Sequence, residues 1–313
     1  MTARRPSNLP HSIHARLLNL AKERKRPFNE LLQHYAMERF LYRLGRSRHR
    51  EAFLLKGALM LRVWSASPAR PTLDIDLAGT RPASRERLEA VIRDCLAISV
   101  PDDGLQFDLE TIRAEPIRKE AEYEGWRFRF HGRLGNARLF WQVDFGFGDA
   151  VVPGPDPVEY PALLDGPPPA ILAYPIESAV AEKVQAMVAL DMANSRLRDF
   201  YDLWFLSRTV AFAGTRLVEA LRATLERRRT PVPTGPPTAL TPTFSEDPEK
   251  RRQWSAFLRK GSLDAEGKDL PEVVEDLRRF LLPPCLSLSS SQPFDASWPA
   301  RGPWRPGRRQ PQT

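Results

Sequence analysis

Two aspartates, Asp74 and Asp76, are separated by one isoleucine in the run of residues 72–77. Because successive side chains of a β-strand point to opposite faces, both carboxylates would project from the same face of such a strand. Apolar neighbours on the other face, among them Leu73 and Leu77, would pack into a core and hold the carboxylate oxygens in place. Mg²⁺ is usually bound by one or two carboxylates together with water and substrate phosphates. The pair therefore predicts a magnesium site for phosphate chemistry.

A glycine stands upstream of this pair, in the run Lys56-Gly57-Ala58, where an apolar segment with helical spacing begins. Glycine lets backbone N–H groups approach a phosphate closely, and the first turn of a helix has a dipole that favours an anion. Taken together with Asp74 and Asp76, the run predicts a phosphate contact at residues 56–58.

A third carboxylate, Asp144, lies between apolar residues in a later segment that alternates as a strand does. Burial of a charge in such a setting is costly unless the charge is paired or bound to a metal. In phosphoryl-type transfer, a third carboxylate can bind the metal and accept the proton of the attacking hydroxyl. The alternative is a structural ion pair with an arginine of the preceding strand, Arg127 or Arg129.

The second half of the chain contributes a lysine and two aspartates. Lys183 lies beside the apolar stripe of one predicted helix, where its ammonium can reach inward to a nucleotide phosphate. Asp199 and Asp202 share one face of the next predicted helix, from which either can orient Lys183 or Arg198. Alternatively, Arg198 and the two aspartates form a structural cluster that closes the helix pair. We assign function to Lys183 and Asp199 and a structural role to Asp202.

The elements that position these residues follow from the apolar periodicity. Residues 13–44 have helical spacing with one break at Arg26-Pro27, which predicts two helices, and a further short helix is predicted after Glu51 through Leu61. Strands of a single mixed sheet are predicted at 72–77, 107–112, 126–131 and 139–145. Later helices are predicted at 84–98, 177–192, 197–209, 215–228, 248–260 and 270–282.

This order of elements predicts an α+β fold, with a mixed sheet flanked by helices and a helical C-terminal half. The predicted parts are residues 1–152, basic helices and the sheet core; 153–170, a proline-rich connector; 171–282, a helical domain; and 283–313, a disordered tail. A break rich in proline and threonine at 230–243 interrupts the helical domain.

Composition excludes several classes of protein and site. The two cysteines, Cys95 and Cys285, are far apart and have no His or Cys at ligand spacing, which excludes a disulfide framework and a zinc site. The five histidines form no catalytic or metal pair, and the chain has no serine elbow, P-loop or dinucleotide fingerprint. No apolar run is long enough to cross a membrane or serve as a secretory signal, so we expect a cytoplasmic protein without membrane contact.

Positive charge is concentrated at the N-terminus. The whole chain of 313 residues has a net charge of +8, whereas residues 1–50 alone carry twelve Lys or Arg against three Glu. A concentrated basic segment is typical of proteins that bind a phosphate backbone. The alternative is a solvated helix surface in an arginine-rich protein.

In their order and spacing, these motifs resemble the AbiEii/AbiGii nucleotidyltransferase toxin family, within the polymerase-beta-like nucleotidyltransferase superfamily. The resemblance covers most of residues 10–282 and includes residues 56–58, the Asp-Ile-Asp-Leu of 74–77, the Val-Asp-Phe of 143–145, the Ala-Glu-Lys of 181–183 and the Arg-Asp-Phe-Tyr-Asp-Leu of 198–203. The chain departs from the family at Ala58 and Leu59, because Leu59 supplies no hydroxyl to a phosphate.

The resemblance implies a nucleotidyltransferase fold, Mg²⁺-dependent use of a nucleoside triphosphate, and a toxin that a separately encoded antitoxin neutralises. It implies that Asp74 and Asp76 hold the metals, that Lys183 binds the triphosphate and that Asp199 completes the site. Related toxins modify tRNA, so the expected reaction is transfer of a nucleoside monophosphate to an RNA acceptor. The alternatives are a transferase acting on a small molecule or a protein, and a catalytically decayed homologue that binds nucleic acid or a partner.

Overall fold

A computed structural model describes residues 8–65, 70–117, 125–289 and 293–307 of the chain. Its α-helices are α1 (Leu9–Glu23), α2 (Phe28–Arg46), α3 (Leu61–Trp64), α4 (Arg85–Ala97), α5 (Ile176–Leu190), α6 (Leu197–Thr209), α7 (Gly214–Arg227), α8 (Pro242–Ser245), α9 (Pro248–Gly261) and α10 (Leu270–Ser287). Within the described residues, no helix is long and apolar enough to span a lipid bilayer.

The strands form two sheets. They are β1 (Phe53–Lys56), β2 (Asp74–Gly79), β3 (Leu105–Ile117), β4 (Gly125–Leu134), β5 (Ala137–Phe147), β6 (Asp156–Glu159), β7 (Ala170–Ala173), β8 (Phe212–Ala213), β9 (Ala296–Trp298) and β10 (Arg305–Pro306). The larger sheet has seven strands in the order β3-β4-β5-β2-β1-β7-β6, and the smaller has three in the order β10-β9-β8. Strand β2 runs parallel to β5 and antiparallel to β1, so the larger sheet is mixed and the expected α+β class is confirmed.

The chain divides into two compact units. Unit 1 comprises residues 1–63, 71–148 and 156–173 and contains the larger sheet, whereas unit 2 comprises residues 64–70, 149–155 and 174–313 and contains α5 to α10. Within the described residues, each unit has its own core of buried apolar residues.

One face of the larger sheet forms the core of unit 1. On β2, Ile75 and Leu77 are 0% and 1% exposed, and their register partners on β5, Val143 and Phe145, are both fully buried. Helix α2 packs against β5 on this side, where the Trp141 Nε1–H donates a hydrogen bond to a backbone carbonyl of α2. Because side chains alternate along each strand, the opposite face carries Asp74, Asp76 and Asp144.

The sequence correctly predicts most elements of unit 1. The four predicted strands correspond to β2, β3, β4 and β5 with shifted ends, and the helices predicted around the 26–27 break and at 84–98 are α1, α2 and α4. Leu73, expected on the core side, precedes β2 and is 58% exposed.

The helix predicted after Glu51 is wrong, because residues 53–56 form β1 and only Gly57–Met60, a 3₁₀ helix, begins the helical segment. Strand β1 pairs with β2 on one side and β7 on the other, and Phe53, Leu54 and Leu55 are buried. A short apolar run that is buried on both faces has no alternation to distinguish it from a helix.

The proline-rich segment at 153–170, predicted as a connector, contributes β6 and the first residue of β7 to the larger sheet. Its prolines are compatible with this position because β6 is an edge strand, whose outer N–H groups need no partner in the sheet. Tyr160, one of the few apolar anchors of the segment, is fully buried, and its hydroxyl lies 3.2 Å from His34 Nε2.

The tail after residue 282 differs from the predicted disorder where the structure describes it. Helix α10 continues to Ser287, and β9 and β10 pair with β8 in the smaller sheet. Trp298 is 5% exposed and donates a hydrogen bond from Nε1 to the Ser207 carbonyl at 2.7 Å. The prediction counted aliphatic residues and missed the apolar area that aromatic residues supply. Residues 290–292 and 308–313 lie outside the described part of the chain.

Candidate active site

The predicted site residues fall into two groups, one in each unit. In unit 1, the register of the larger sheet aligns Lys56 of β1 with Asp76 of β2, and Asp76 with Asp144 of β5. Asp74 is aligned with Gln142 in the same way. Residues directly opposite each other on paired strands point to the same face, so these polar side chains form two neighbouring rows.

Asp74 and Asp76 are half-buried and lie on the face away from the core. They are anchored by Ile75 and Leu77, whose burial fixes the backbone of β2 against the core. Two fixed carboxylates on one strand face suit Mg²⁺, which completes its octahedral shell with water and phosphate oxygens. Within the described residues, no group of three His, Cys, Asp or Glu is arranged to hold a metal. A Mg²⁺ ion at this strand face would be held by the pair, with water and substrate oxygens as its other ligands.

Gly57 packs directly against Asp76. Its φ of +72° lies in the left-handed region, and a Cβ built on it would lie 2.8 Å from Cγ and 2.9 Å from Cβ of Asp76. Such distances are shorter than real Cβ contacts, so only glycine leaves Asp76 its present position. Ala58 and Leu59, at which the chain departs from the family pattern, are 6% and 2% exposed and therefore lie in the core.

Asp144 forms a bidentate ion pair with Arg127. The arginine Nε and Nη2 donate hydrogen bonds to the two carboxylate oxygens at 2.8 and 2.6 Å. These hydrogen bonds raise the pKa of Arg127 above its ordinary value, and the charges of Asp144, Asp74 and Glu115 act in the same direction. The ion pair that the sequence offered as the alternative for Asp144 is therefore present, and it lies one strand away from Asp76.

In unit 2, Lys183 of α5 is bound by both aspartates of α6. Its Nζ donates hydrogen bonds to Asp199 Oδ1 at 2.7 Å and to Asp202 Oδ2 at 3.0 Å. Burial alone would lower the pKa of Lys183, but the two carboxylates outweigh it and hold the pKa above its ordinary value. Arg198 is exposed. The structure thus brings both aspartates to Lys183, which the sequence predicted that either of them could orient.

Arg70 is the residue of this group that sequence reasoning missed. Its Nε and Nη2 donate hydrogen bonds to Asp202 at 2.6 and 3.0 Å, and Asp202 is 1% exposed. Burial would raise the pKa of Asp202, but Lys183 and Arg70 outweigh it and hold the pKa below its ordinary value. The only sequence signal was the arginine itself, which lies 132 positions from its partner.

We expect Asp202→Asn to destabilise the protein by about 3–5 kcal/mol at neutral pH, because it leaves two cations in a buried cluster with one carboxylate. The lowered pKa of Asp202 means that this contribution is present above the unfolded value of about 3.9 and is lost as the pH falls through the folded value. Denaturant unfolding of wild type and variant between pH 7 and pH 3 measures the difference. Glu219→Gln, an exposed change inside α7 of unit 2, is the control and should shift stability by less than about 0.5 kcal/mol. A difference that stays constant over this pH range contradicts the assignment.

Comparison with known proteins gives a family match. The family model described as the nucleotidyl transferase AbiEii toxin of a type IV toxin–antitoxin system matches residues 39–277. No protein with a curated description matches the chain.

Two solved structures are similar to this chain. JHP933 from Helicobacter pylori is 14% identical, with 83% of this chain and 93% of that chain covered and a TM-score of 0.48. MenT4, a nucleotidyltransferase toxin from Mycobacterium tuberculosis H37Rv, is 18% identical, with 90% of this chain and 99% of that chain covered and a TM-score of 0.46. The family match covers more than half of the 313 residues, and the chain therefore belongs to the AbiEii nucleotidyltransferase toxins of type IV toxin–antitoxin systems.

Proposed function

We propose that this toxin transfers a nucleoside monophosphate from a nucleoside triphosphate to an RNA acceptor, tRNA, in a Mg²⁺-dependent reaction in the cytoplasm. A hydroxyl of the RNA attacks the alpha phosphate and loses its proton, the bond between the alpha and beta phosphates breaks, and pyrophosphate leaves. The observation that carries the proposal is the pair Asp74 and Asp76, which share one strand face while the intervening isoleucine is fully buried on the other. Such a pair binds a metal that also takes phosphate oxygens.

In this proposal Asp74 and Asp76 hold Mg²⁺, and Gly57 keeps Asp76 in place while the adjoining residues Lys56 and Ala58 contact phosphate. The bound metal supplies charge stabilisation to the attacking and leaving oxygens of the phosphoryl group. Asp144 binds the same metal or accepts the proton of the attacking hydroxyl. Both of its oxygens accept one hydrogen bond each from Arg127, which holds the carboxylate in place and leaves each oxygen a further lone pair for the metal or the proton.

Lys183 binds the triphosphate in this proposal. An ammonium has three N–H donors, and in the described residues two of them are directed to Asp199 and Asp202. The third can donate to a phosphate oxygen without loss of the aspartate contacts. Asp199 completes the site as the residue that orients this ammonium, together with Asp202. A separately encoded cognate antitoxin is expected to neutralise the toxin.

We expect label to appear in RNA when the purified toxin is incubated with Mg²⁺, total cellular RNA and each nucleoside triphosphate labelled at its alpha phosphate. The label should migrate with the tRNA fraction, and chelation of divalent metal should abolish it until Mg²⁺ is restored. Label found only on protein or on small molecules would remove the RNA acceptor, and transfer that resists chelation would remove the metal. Omission of RNA is the control.

A further inference from the structure

The face of β4 that lies away from the core is basic. Arg127, Arg129, His131 and Arg133 occupy every second position of this strand, and we refer to these four residues as the β4 basic row. The intervening Phe128 and Phe130 are fully buried in the core of unit 1.

The β4 basic row is accessible to solvent. His131 and Arg133 are exposed, and the side chains of Arg127 and Arg129 are 30% and 39% exposed. Arg127 is paired with Asp144, Arg129 forms an ion pair with Glu115 of β3 at 2.9 Å, and Arg133 donates a hydrogen bond to Gln106 at 2.6 Å. These contacts hold the guanidinium groups over the sheet while part of each remains open to a ligand.

The row begins beside the candidate catalytic carboxylates. Arg127 is the register partner of Asp144, which is the partner of Asp76, and Arg129 is connected through Gln142 to Asp74 in the same way. With neighbouring strands about 4.8 Å apart, Arg129 lies about 10 Å from Asp74 across the sheet. From Arg127 to Arg133 the strand extends for about 20 Å, with one basic side chain about every 6.8 Å.

The N-terminal helices, which carry the excess of positive charge, offer fewer available cations than their composition suggests. Arg39 and Arg43 of α2 are 3% and 5% exposed. Arg43 forms a bidentate pair with the buried Asp103, and Arg39 lies 3.3 Å from Glu38. Arg26, which precedes α2, forms an ion pair with Glu30 of that helix. A substantial part of the N-terminal charge is therefore neutralised inside unit 1.

An aromatic contact on the same face favours nucleic acid as the partner. The rings of His131 and Phe140 lie 5.4 Å apart on neighbouring strands, beside Arg129 and Arg133. A ring pair flanked by regularly spaced cations is the combination with which proteins bind single-stranded RNA, where bases stack on rings and arginines contact successive phosphates. An acidic protein segment would need the cations but not the rings.

We propose that the β4 basic row binds the single-stranded end of the RNA acceptor and leads its terminal hydroxyl to Asp74 and Asp76. This inference rests on the proposed function, because it takes RNA as the acceptor. It assigns the phosphate contacts to β4 and not to the N-terminal helices.

The test compares two double variants that each remove two positive charges. Arg129→Gln with Arg133→Gln alters the row, whereas Arg24→Gln with Lys25→Gln alters exposed cations at the end of α1. Binding of a fluorescent tRNA is measured by anisotropy over a range of salt concentrations. Each single-strand phosphate contact contributes about 0.7 to the slope of log affinity against log salt, so the row variant should lose about 1.4 from the slope and bind roughly tenfold more weakly. The α1 variant should retain both values.

Triphosphate binding and label transfer separate this inference from the proposed function. The row variant should bind labelled triphosphate as the wild type does, and its KM for RNA should rise while its KM for triphosphate is unchanged. Wild-type RNA affinity in the row variant, or loss of affinity in the α1 variant alone, overturns the inference and leaves the function standing. A wild-type protein that binds no RNA overturns both. Loss of binding to the antitoxin with RNA binding intact would make the row a protein-binding surface and overturn the inference.

Discussion

Asp76→Asn is expected to lower nucleotidyl transfer about a thousandfold or more while the protein remains folded. The carboxylate of Asp76 lies in the middle strands of the sheet, between its register partners Lys56 and Asp144. Its replacement by a neutral amide removes half of the carboxylate pair, and metal charge stabilisation is worth several kcal/mol of the barrier. Single-turnover transfer of label, growth arrest on expression and the thermal midpoint Tm are the measurements, and Tm should stay within a few degrees of wild type.

Asp165→Asn provides the matched control for this variant. It makes the same chemical change in unit 1, at a side chain that is 96% exposed, and should leave both transfer and toxicity unchanged. An Asp76→Asn protein that retains wild-type transfer would show that the carboxylate pair is not the metal site. Equal losses in both variants would point to a general effect of removing negative charge.

Gly57→Ala is expected to lower transfer by about a hundredfold or more and to destabilise the protein by about 1–3 kcal/mol. The added methyl would collide with Asp76, so either β2 or the carboxylate must move. A displacement of about 1 Å at a catalytic group can cost about a hundredfold in rate. The left-handed backbone conformation, in which a Cβ is strained, contributes about 1 kcal/mol to the stability loss, and the collision with Asp76 contributes the remainder.

Gly267→Ala separates these two causes. Gly267 has a φ of +73°, against +72° at Gly57, but a Cβ built there meets no atom within 4 Å. It should therefore show the backbone cost, about 1 kcal/mol, without any loss of transfer. The prediction for Gly57 fails if both variants retain activity, or if the loss of transfer at Gly57 only follows the unfolded fraction.

The sequence was informative wherever a local pattern specifies geometry. The alternation of Asp74, Ile75 and Asp76 was sufficient to predict a strand with both carboxylates on one face. Among regular backbone conformations, only the β-strand places every second side chain on the same face. The spacing of Asp199 and Asp202 likewise predicted their shared helix face, and Lys183 contacts both.

Contacts between distant segments could not be predicted in the same way. The pairing of Arg70 with Asp202 depends on the tertiary structure that brings residue 70 to α6, and no local sequence pattern predicts it. Asp144 was predicted as a buried carboxylate that needs a partner, but the choice between metal and arginine depends on the register of β4 with β5. Composition likewise does not show which charges remain available, since Asp103 pairs with Arg43 inside the core.

Strand β1 obtains its second partner strand late in the synthesis of this toxin. Its two neighbours are β2, which follows closely, and β7, at Ala170–Ala173, which is made more than a hundred residues later. Until the ribosome has produced β7, the nascent sheet has an apolar strand with one unpaired edge, and such edges pair readily with other chains. Leu54 and Leu172 pair in parallel although they are far apart in the sequence, and such pairings form slowly during folding. The carboxylate pair therefore lies in a sheet that cannot be complete before residue 173 has been synthesised.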